Sequence, residues 1–115
     1  MDKLESAIQQ EIVMYLTNTY CLKHNPNRCL IMAIPNGGKR DAREAKSLKN
    51  TGLLPGASDL VFIMPNRTIY FEVKTITGVQ SDLQKDFEYR VENLGYEYYI
   101  VKSVDDVKKI LNLKL

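Results

Sequence analysis

One histidine, two cysteines and no long apolar run leave this chain of 115 residues few of the usual routes to chemistry. With His24 as the sole imidazole, a Ser-His-Asp or Cys-His mechanism finds no support elsewhere in the sequence. Cys21 and Cys29 flank His24, but a structural zinc site needs a fourth ligand, and none is evident nearby. Cytosolic disulfides are uncommon, so the two cysteines read as buried free thiols. No apolar stretch is long enough to span a bilayer. The start, Met1-Asp2-Lys3-Leu4-Glu5, lacks the apolar core of a signal peptide, and a cytoplasmic location is expected. Glycine-rich phosphate loops of the P-loop or dinucleotide type, internal repeats, linkers and low-complexity tracts are also missing.

What is there suits one soluble globular domain spanning 1–115: 44% hydrophobic and 26% charged residues, enough for one core. The net charge of +2 is too small to imply a polyanionic partner by itself. Its distribution is more informative. Lys39, Arg40, Arg43, Lys46 and Lys49 crowd one segment, and Lys39, Arg43 and Lys46 recur at helical spacing. A solvated helix face interrupted by Asp41 and Glu44 would read the same way.

The chain is organised around Ser58 to Lys74. An apolar run, Leu60-Val61-Phe62-Ile63, follows Asp59, a turn at Pro65-Asn66-Arg67 comes next, and a second run ends in Glu72-Val73-Lys74. Alternation predicts a strand there, with Ile69, Phe71 and Val73 on one face and Tyr70, Glu72 and Lys74 on the other. Residues two apart on a strand lie about 7 Å from one another, so Glu72 and Lys74 are neighbours. Antiparallel pairing brings Asp59 within reach of Glu72. Two carboxylates at one point repel unless a positive charge lies between them. Oxygen ligands with open water positions suit Mg²⁺ or Mn²⁺. An ordinary surface ion pair on a hairpin remains open at this point. The other acid-x-Lys sets, Glu44-Ala45-Lys46 and Asp106-Val107-Lys108, fall on predicted helices, where i and i+2 point apart.

Taken in order, Leu4, Ile8, Ile12, Tyr15 and Leu16 predict a helix from about Asp2 to Thr17, with Glu5, Gln9 and Glu11 at the margins of its apolar stripe. The continuous apolar run Cys29 to Ile34 predicts a buried strand, stopped by Pro35-Asn36-Gly37-Gly38. Asp41 to Asn50 reads as a helix capped by Asp41, with Ala42, Ala45 and Leu48 inward and Gly52 at its end. Ser81-Asp82-Leu83-Gln84 has the form of a capping box, opening a helix with Leu83, Phe87, Val91 and Leu94 as its stripe and Gly95 as its stop. There Gln84 has two readings, as a cap on the Ser81 backbone or as a group facing the acidic site. Tyr96 to Val101 is a last strand. Ser103 caps a final helix, with Asp105 and Asp106 in its first turn and Lys108 and Lys109 near its end, matched to its dipole. The order αβαββαβα predicts an α/β fold with a mixed central sheet and helices on both faces.

These residues carry a resemblance. Glu5-x3-Gln9, Ile34-Pro35-Asn36-Gly37-Gly38, Gly52-x2-Pro55-Gly56-x2-Asp59-Leu60, Phe71-Glu72-Val73-Lys74, Ser81-x2-Gln84 and Leu94-Gly95-Tyr96 occur in this order over nearly the whole chain. Together they resemble the VRR-NUC domains, a branch of the PD-(D/E)xK, restriction endonuclease-like nucleases. Ser58 stands where the superfamily pattern has proline, and the nearest proline is Pro55. No residue of the family's metal-ligand pattern is missing.

The resemblance implies metal-dependent hydrolysis of DNA phosphodiester bonds. It implies that Asp59, Glu72 and the Val73 backbone carbonyl bind Mg²⁺ or Mn²⁺, with Glu5 joining directly or through water. Lys74 would orient and help deprotonate the attacking water, and Gln84 would support the site. Asn36, Gly37, Gly38, Lys39, Arg40, Arg43 and Lys46 are the expected DNA contacts. A small, free-standing chain of this kind resembles homodimeric Holliday-junction resolvases of phages and bacteria, which implies four-way junctions as substrate and a bacterial or phage-infected cytoplasm. Flap or nicking activity within a larger repair complex, and a non-catalytic DNA-binding module, are the alternatives.

Overall fold

The computed structural model describes residues 4–26, 28–35 and 42–113, without the side chains at 42, 44, 45 and 48. Eight elements follow one another: α1 (Glu5–Tyr20), β1 (Leu30–Ala33), α2 (Ala42–Asn50), β2 (Leu60–Met64), β3 (Arg67–Val73), α3 (Asp82–Asn93), β4 (Glu97–Val101) and α4 (Val104–Leu111). This is the predicted order. The strands form one sheet in the order β1-β2-β3-β4. The first two pairings are antiparallel and the third is parallel. A parallel pair needs a crossover, and α3 supplies it.

The β2–β3 hairpin is central. Pro65 presets the backbone at the first corner of its two-residue turn, and Asn66 takes φ 61 at the second, a left-handed value that asparagine tolerates. The register opposes Leu60 to Phe71 and Phe62 to Ile69. These four side chains and Val73 are buried against Ile8, Ile12 and Leu16 of α1 and Val107 and Ile110 of α4. Each such large apolar group contributes roughly 1.5–3 kcal/mol on burial. The opposite face carries Tyr70 and Tyr98, covered by Phe87 and Val91 of α3. Helices thus lie on both faces, as predicted.

Three sequence expectations are corrected. The run from Cys29 to Ile34 is not a buried strand. Cys29 is buried, but β1 is the sheet edge, and Leu30 and Met32 are 51% and 47% exposed. A continuous apolar run indicates burial only where both faces are covered, and here only the side bearing Ile31 packs on the core. In α3, Phe87 and Val91 are buried as expected, whereas Leu83 and Leu94 are exposed. Both sit at the ends of the helix, beyond the part that lies over the sheet. Leu4 is exposed for the same reason, as the residue before α1. The predicted cap Asp41 and the inward Ala42, Ala45 and Leu48 lie outside the described residues. Cys21 is half-buried, and burial raises the pKa of both free thiols.

Caps predicted from sequence are in place. The Ser103 hydroxyl accepts from the Asp106 amide at 3.1 Å, and Gly52 and Gly95 take φ 112 and 91 after α2 and α3. At the far end of the sheet, Arg67 donates through Nε and Nη2 to both oxygens of Glu97 (2.7 and 2.9 Å) and through Nη2 to the Ile110 carbonyl (3.1 Å). The Tyr99 hydroxyl donates to the same carboxylate. This fork ties β3, β4 and the end of α4 together. The Arg67 hydrogen bond holds the Glu97 carboxyl below its ordinary pKa, against the opposing effect of burial. Its stabilisation is therefore present at neutral pH and is lost as pH falls below the ordinary value of 4.5. Glu97→Gln is expected to cost about 1–3 kcal/mol in urea unfolding at pH 7, and the gap to wild type should close in acid.

Candidate active site

Asp59 stands immediately before β2 and is held from two sides. Its backbone carbonyl accepts from the Ile34 amide at 2.8 Å, beyond the end of β1. Its Oδ2 accepts from the Val73 amide at 2.7 Å, across the hairpin. The preceding Ser58 is fully buried, and its hydroxyl donates to the Leu60 carbonyl at 3.2 Å. A proline there would have no such donor.

Glu72 projects from β3 beside Asp59. It is 1% exposed. Burial pushes its carboxyl up to about 9, helped by a hydrogen bond with Asp59 and by the charges of Asp59 and Glu5; the Lys74 ammonium acts in the opposite direction. Glu72 Oε2 accepts from Gln84 Nε2 at 3.3 Å, while Oε1 is buried with no hydrogen-bond partner among the described residues. Lys74 continues the strand, its amide donating to the Val101 carbonyl at 3.0 Å, and its side chain is 8% exposed. Its aliphatic stem passes over Gly78, where an added Cβ would meet Lys74 Cδ at 3.3 Å.

The two readings of Gln84 both hold. Its Oε1 accepts from the Ser81 amide at 2.9 Å, its own amide donates to the Ser81 hydroxyl at 3.2 Å, and its Nε2 reaches Glu72. Asp59, Glu72, Lys74 and Gln84 therefore meet at one place. Glu5 is exposed in the first turn of α1 and is felt at Glu72 through its charge. Arg43 and Lys46 are exposed on α2. Asn36, Gly37, Gly38, Lys39 and Arg40 lie outside the described residues.

Three participants escaped the sequence reading. Gln80 Nε2 donates to Glu88 Oε1 at 3.0 Å and to the Tyr98 hydroxyl at 3.2 Å. Burial pushes the Tyr98 hydroxyl far above its usual pKa, and the charges of Glu72, Glu88 and Asp59 add to this, against the Gln80 hydrogen bond. The signals were there: Tyr98 alternates onto the Tyr70 face, and Glu88 follows Gln84 by one helical turn. Gly56 was noted only as part of a motif. It takes φ 88, and a Cβ there would lie 2.4 Å from the Leu83 carbonyl oxygen. The start of α3, with Gln84, thus rests directly on the loop that leads to Asp59.

The donor set fits a hard divalent cation. Two carboxyl groups are held together, one oxygen has no partner among the described residues, and burial pushes the Glu72 pKa up, all of which a cation would relieve. Among the described residues, no group of three or more His, Cys, Asp and Glu forms a ready-made metal cage. A magnesium-type ion does not need one, since it keeps several waters.

No protein-family model matches the chain, and no curated protein does. Among solved structures, it is similar to a VRR_NUC domain protein, with a TM-score of 0.68 and 22% identity, over 93% of this chain and 84% of that one. At this identity the likeness shows the fold: the chain has the α/β fold of that VRR_NUC domain protein.

Two outcomes follow. A carboxyl whose folded pKa exceeds its ordinary value carries a penalty that is absent in acid and grows as pH rises toward 9. In EDTA, Glu72→Gln should therefore be more stable than wild type by about 1–3 kcal/mol at pH 8, and the difference should vanish near pH ~4, in urea titrations. Gly56→Ala should lower stability by about 1–3 kcal/mol through strain at positive φ and the clash with Leu83.

Proposed function

We propose that this chain is a Mg²⁺- or Mn²⁺-dependent DNA endonuclease that selects branched DNA and acts on four-way junctions as a homodimer. The observation that carries the reading is the buried Glu72 beside the half-buried Asp59, with one Glu72 oxygen unpartnered among the described residues, next to a largely buried Lys74. The resemblance of the motifs and the shared VRR_NUC fold support it.

Asp59, Glu72 and the Val73 carbonyl would hold the cation, with Glu5 joining directly or through water. When bound, the cation offsets charge building on the phosphate and makes water more acidic. Lys74 orients the water for in-line attack on phosphorus and helps take up its proton. The bond to the 3′ oxygen breaks, leaving 5′-phosphate and 3′-hydroxyl ends. Gln84 keeps Glu72 turned toward the site through its amide. Such a reaction depends chiefly on positioning and electrostatic stabilisation, which fits side chains locked between strands and a helix start. Arg43 and Lys46, exposed on α2, supply phosphate contacts. A two-fold pair of such chains would place two sites on two strands, as a junction requires.

The test uses strand-labelled DNAs of one sequence: linear duplex, single strand, 5′ flap, fork and four-way junction. Each is incubated with Mg²⁺, Mn²⁺ or EDTA, with wild type and Lys74→Ala. Paired symmetric cuts on the junction are expected, abolished by EDTA and reduced at least roughly 10²-fold in the variant. Equal cutting of linear duplex removes the branch selectivity. Cuts confined to flaps or single strands transfer the chain to repair-type nucleases, and binding without any cutting makes it a DNA-binding module.

A further inference from the structure

A cavity of about 400 Å³ lies on the α3 side of the sheet, walled by Ile34, Pro35, Leu53, Leu54, Tyr70 and Phe87. It adjoins the acidic site through two stretches of backbone. Tyr70 is two residues before Glu72 on the same face of β3, and Ala57, at the cavity floor, is two residues before Asp59. The Tyr70 ring is fixed edge-on against Phe87 and Tyr96, with centroids 5.8 and 6.3 Å apart. Its rim is different in character. Thr51 and Gly52 close one side, directly after the last turn of α2, and α2 presents Arg43, Lys46 and Lys49 to solvent at intervals of three residues. An apolar, aromatic slot two residues along the backbone from Asp59 and Glu72, and joined through Thr51 and Gly52 to a helix that exposes cations, has the chemistry of one nucleotide: a flat base for the slot, flanking phosphates for the helix.

We infer that this cavity receives a single nucleobase, unstacked from the DNA next to the scissile phosphate. The inference rests on the nuclease reading above and deepens it. A fully paired duplex must break a pair and a stack to supply such a base, whereas a branch point or bulge offers one at little cost. Selectivity for branched DNA then arises in the catalytic domain itself, from what fills the slot between Leu54 and Tyr70.

The test is fluorescence anisotropy in EDTA with three DNAs: a duplex carrying a one-nucleotide adenine bulge, the same duplex with an abasic residue at the bulge, and the fully paired duplex. Wild type, Leu54→Asp and Tyr70→Leu are compared, each checked by urea unfolding. Wild type should bind the adenine bulge about tenfold more tightly than the abasic one. In Leu54→Asp, altered only at a partly exposed wall residue, that ratio should fall to about one, and Tyr70→Leu should lower it as well. Equal affinity of wild type for the two bulges, or an unchanged ratio in Leu54→Asp, overturns the inference and leaves the slot to a peptide or small-molecule occupant. Cleavage of the same DNAs in Mg²⁺ separates the two claims. Cutting without base preference sinks the slot and leaves the nuclease standing. Base preference without cutting of any DNA sinks the nuclease and leaves a base-binding slot.

Discussion

A buried carboxyl is costly in its charged form, and the rest of this fold holds Glu72 in that position beside the half-buried Asp59. The Val73 amide grips Asp59, the antiparallel register carries Glu72 up beside it, and Gln84 reaches over from α3. The Lys74 ammonium opposes the rise in the Glu72 pKa. Each of these contacts fixes where one of the two carboxyls lies.

The two faces of the sheet divide the work. On the α1 and α4 side, Phe62, Phe71, Leu60, Ile69 and Val73 are buried without a polar atom among their side chains. Most of the hydrophobic stabilisation comes from there. The α3 side is thinner and combines Tyr70, Tyr98 and Phe87 with Glu72 and the Gln80–Glu88 pair. A strand's alternation makes this division possible: Val73 anchors the core while its neighbours Glu72 and Lys74 face the candidate site. The stable face holds the backbone in register, so the other can tolerate a buried ionisable group.

Most of the hairpin was legible because strand alternation is a local property. Ile69, Phe71 and Val73 declare their face within seven residues, and Asp59 precedes the run joined to them by a short turn. The capping box at Ser81 and the stop at Gly95 were legible for the same reason. What was not legible depends on neighbours far along the chain. Whether Leu30 and Met32 are covered is decided by what packs on β1, which its own residues do not state. The apolar ends of α3, Leu83 and Leu94, follow helical spacing as faithfully as Phe87 and Val91, but the sheet beneath ends before they do. The link from Tyr98 to Gln80 and Glu88 joins a strand, a loop and a helix, and no single window contains it.

One amide does two jobs at the start of α3. The oxygen of Gln84 closes the helix cap and its nitrogen holds Glu72, so the side chain spans a fixed gap between a backbone terminus and a carboxylate. The connection from Thr75 to Gln80 is therefore a ruler as well as a loop. Lengthening or shortening it by one residue would turn the helix start by about 100° and aim a different side chain at the site. Surface loops usually drift in length among relatives without harm. This one has its length specified by chemistry at its two ends, and evolution along the chain should find it far easier to change what the loop is made of than how long it is.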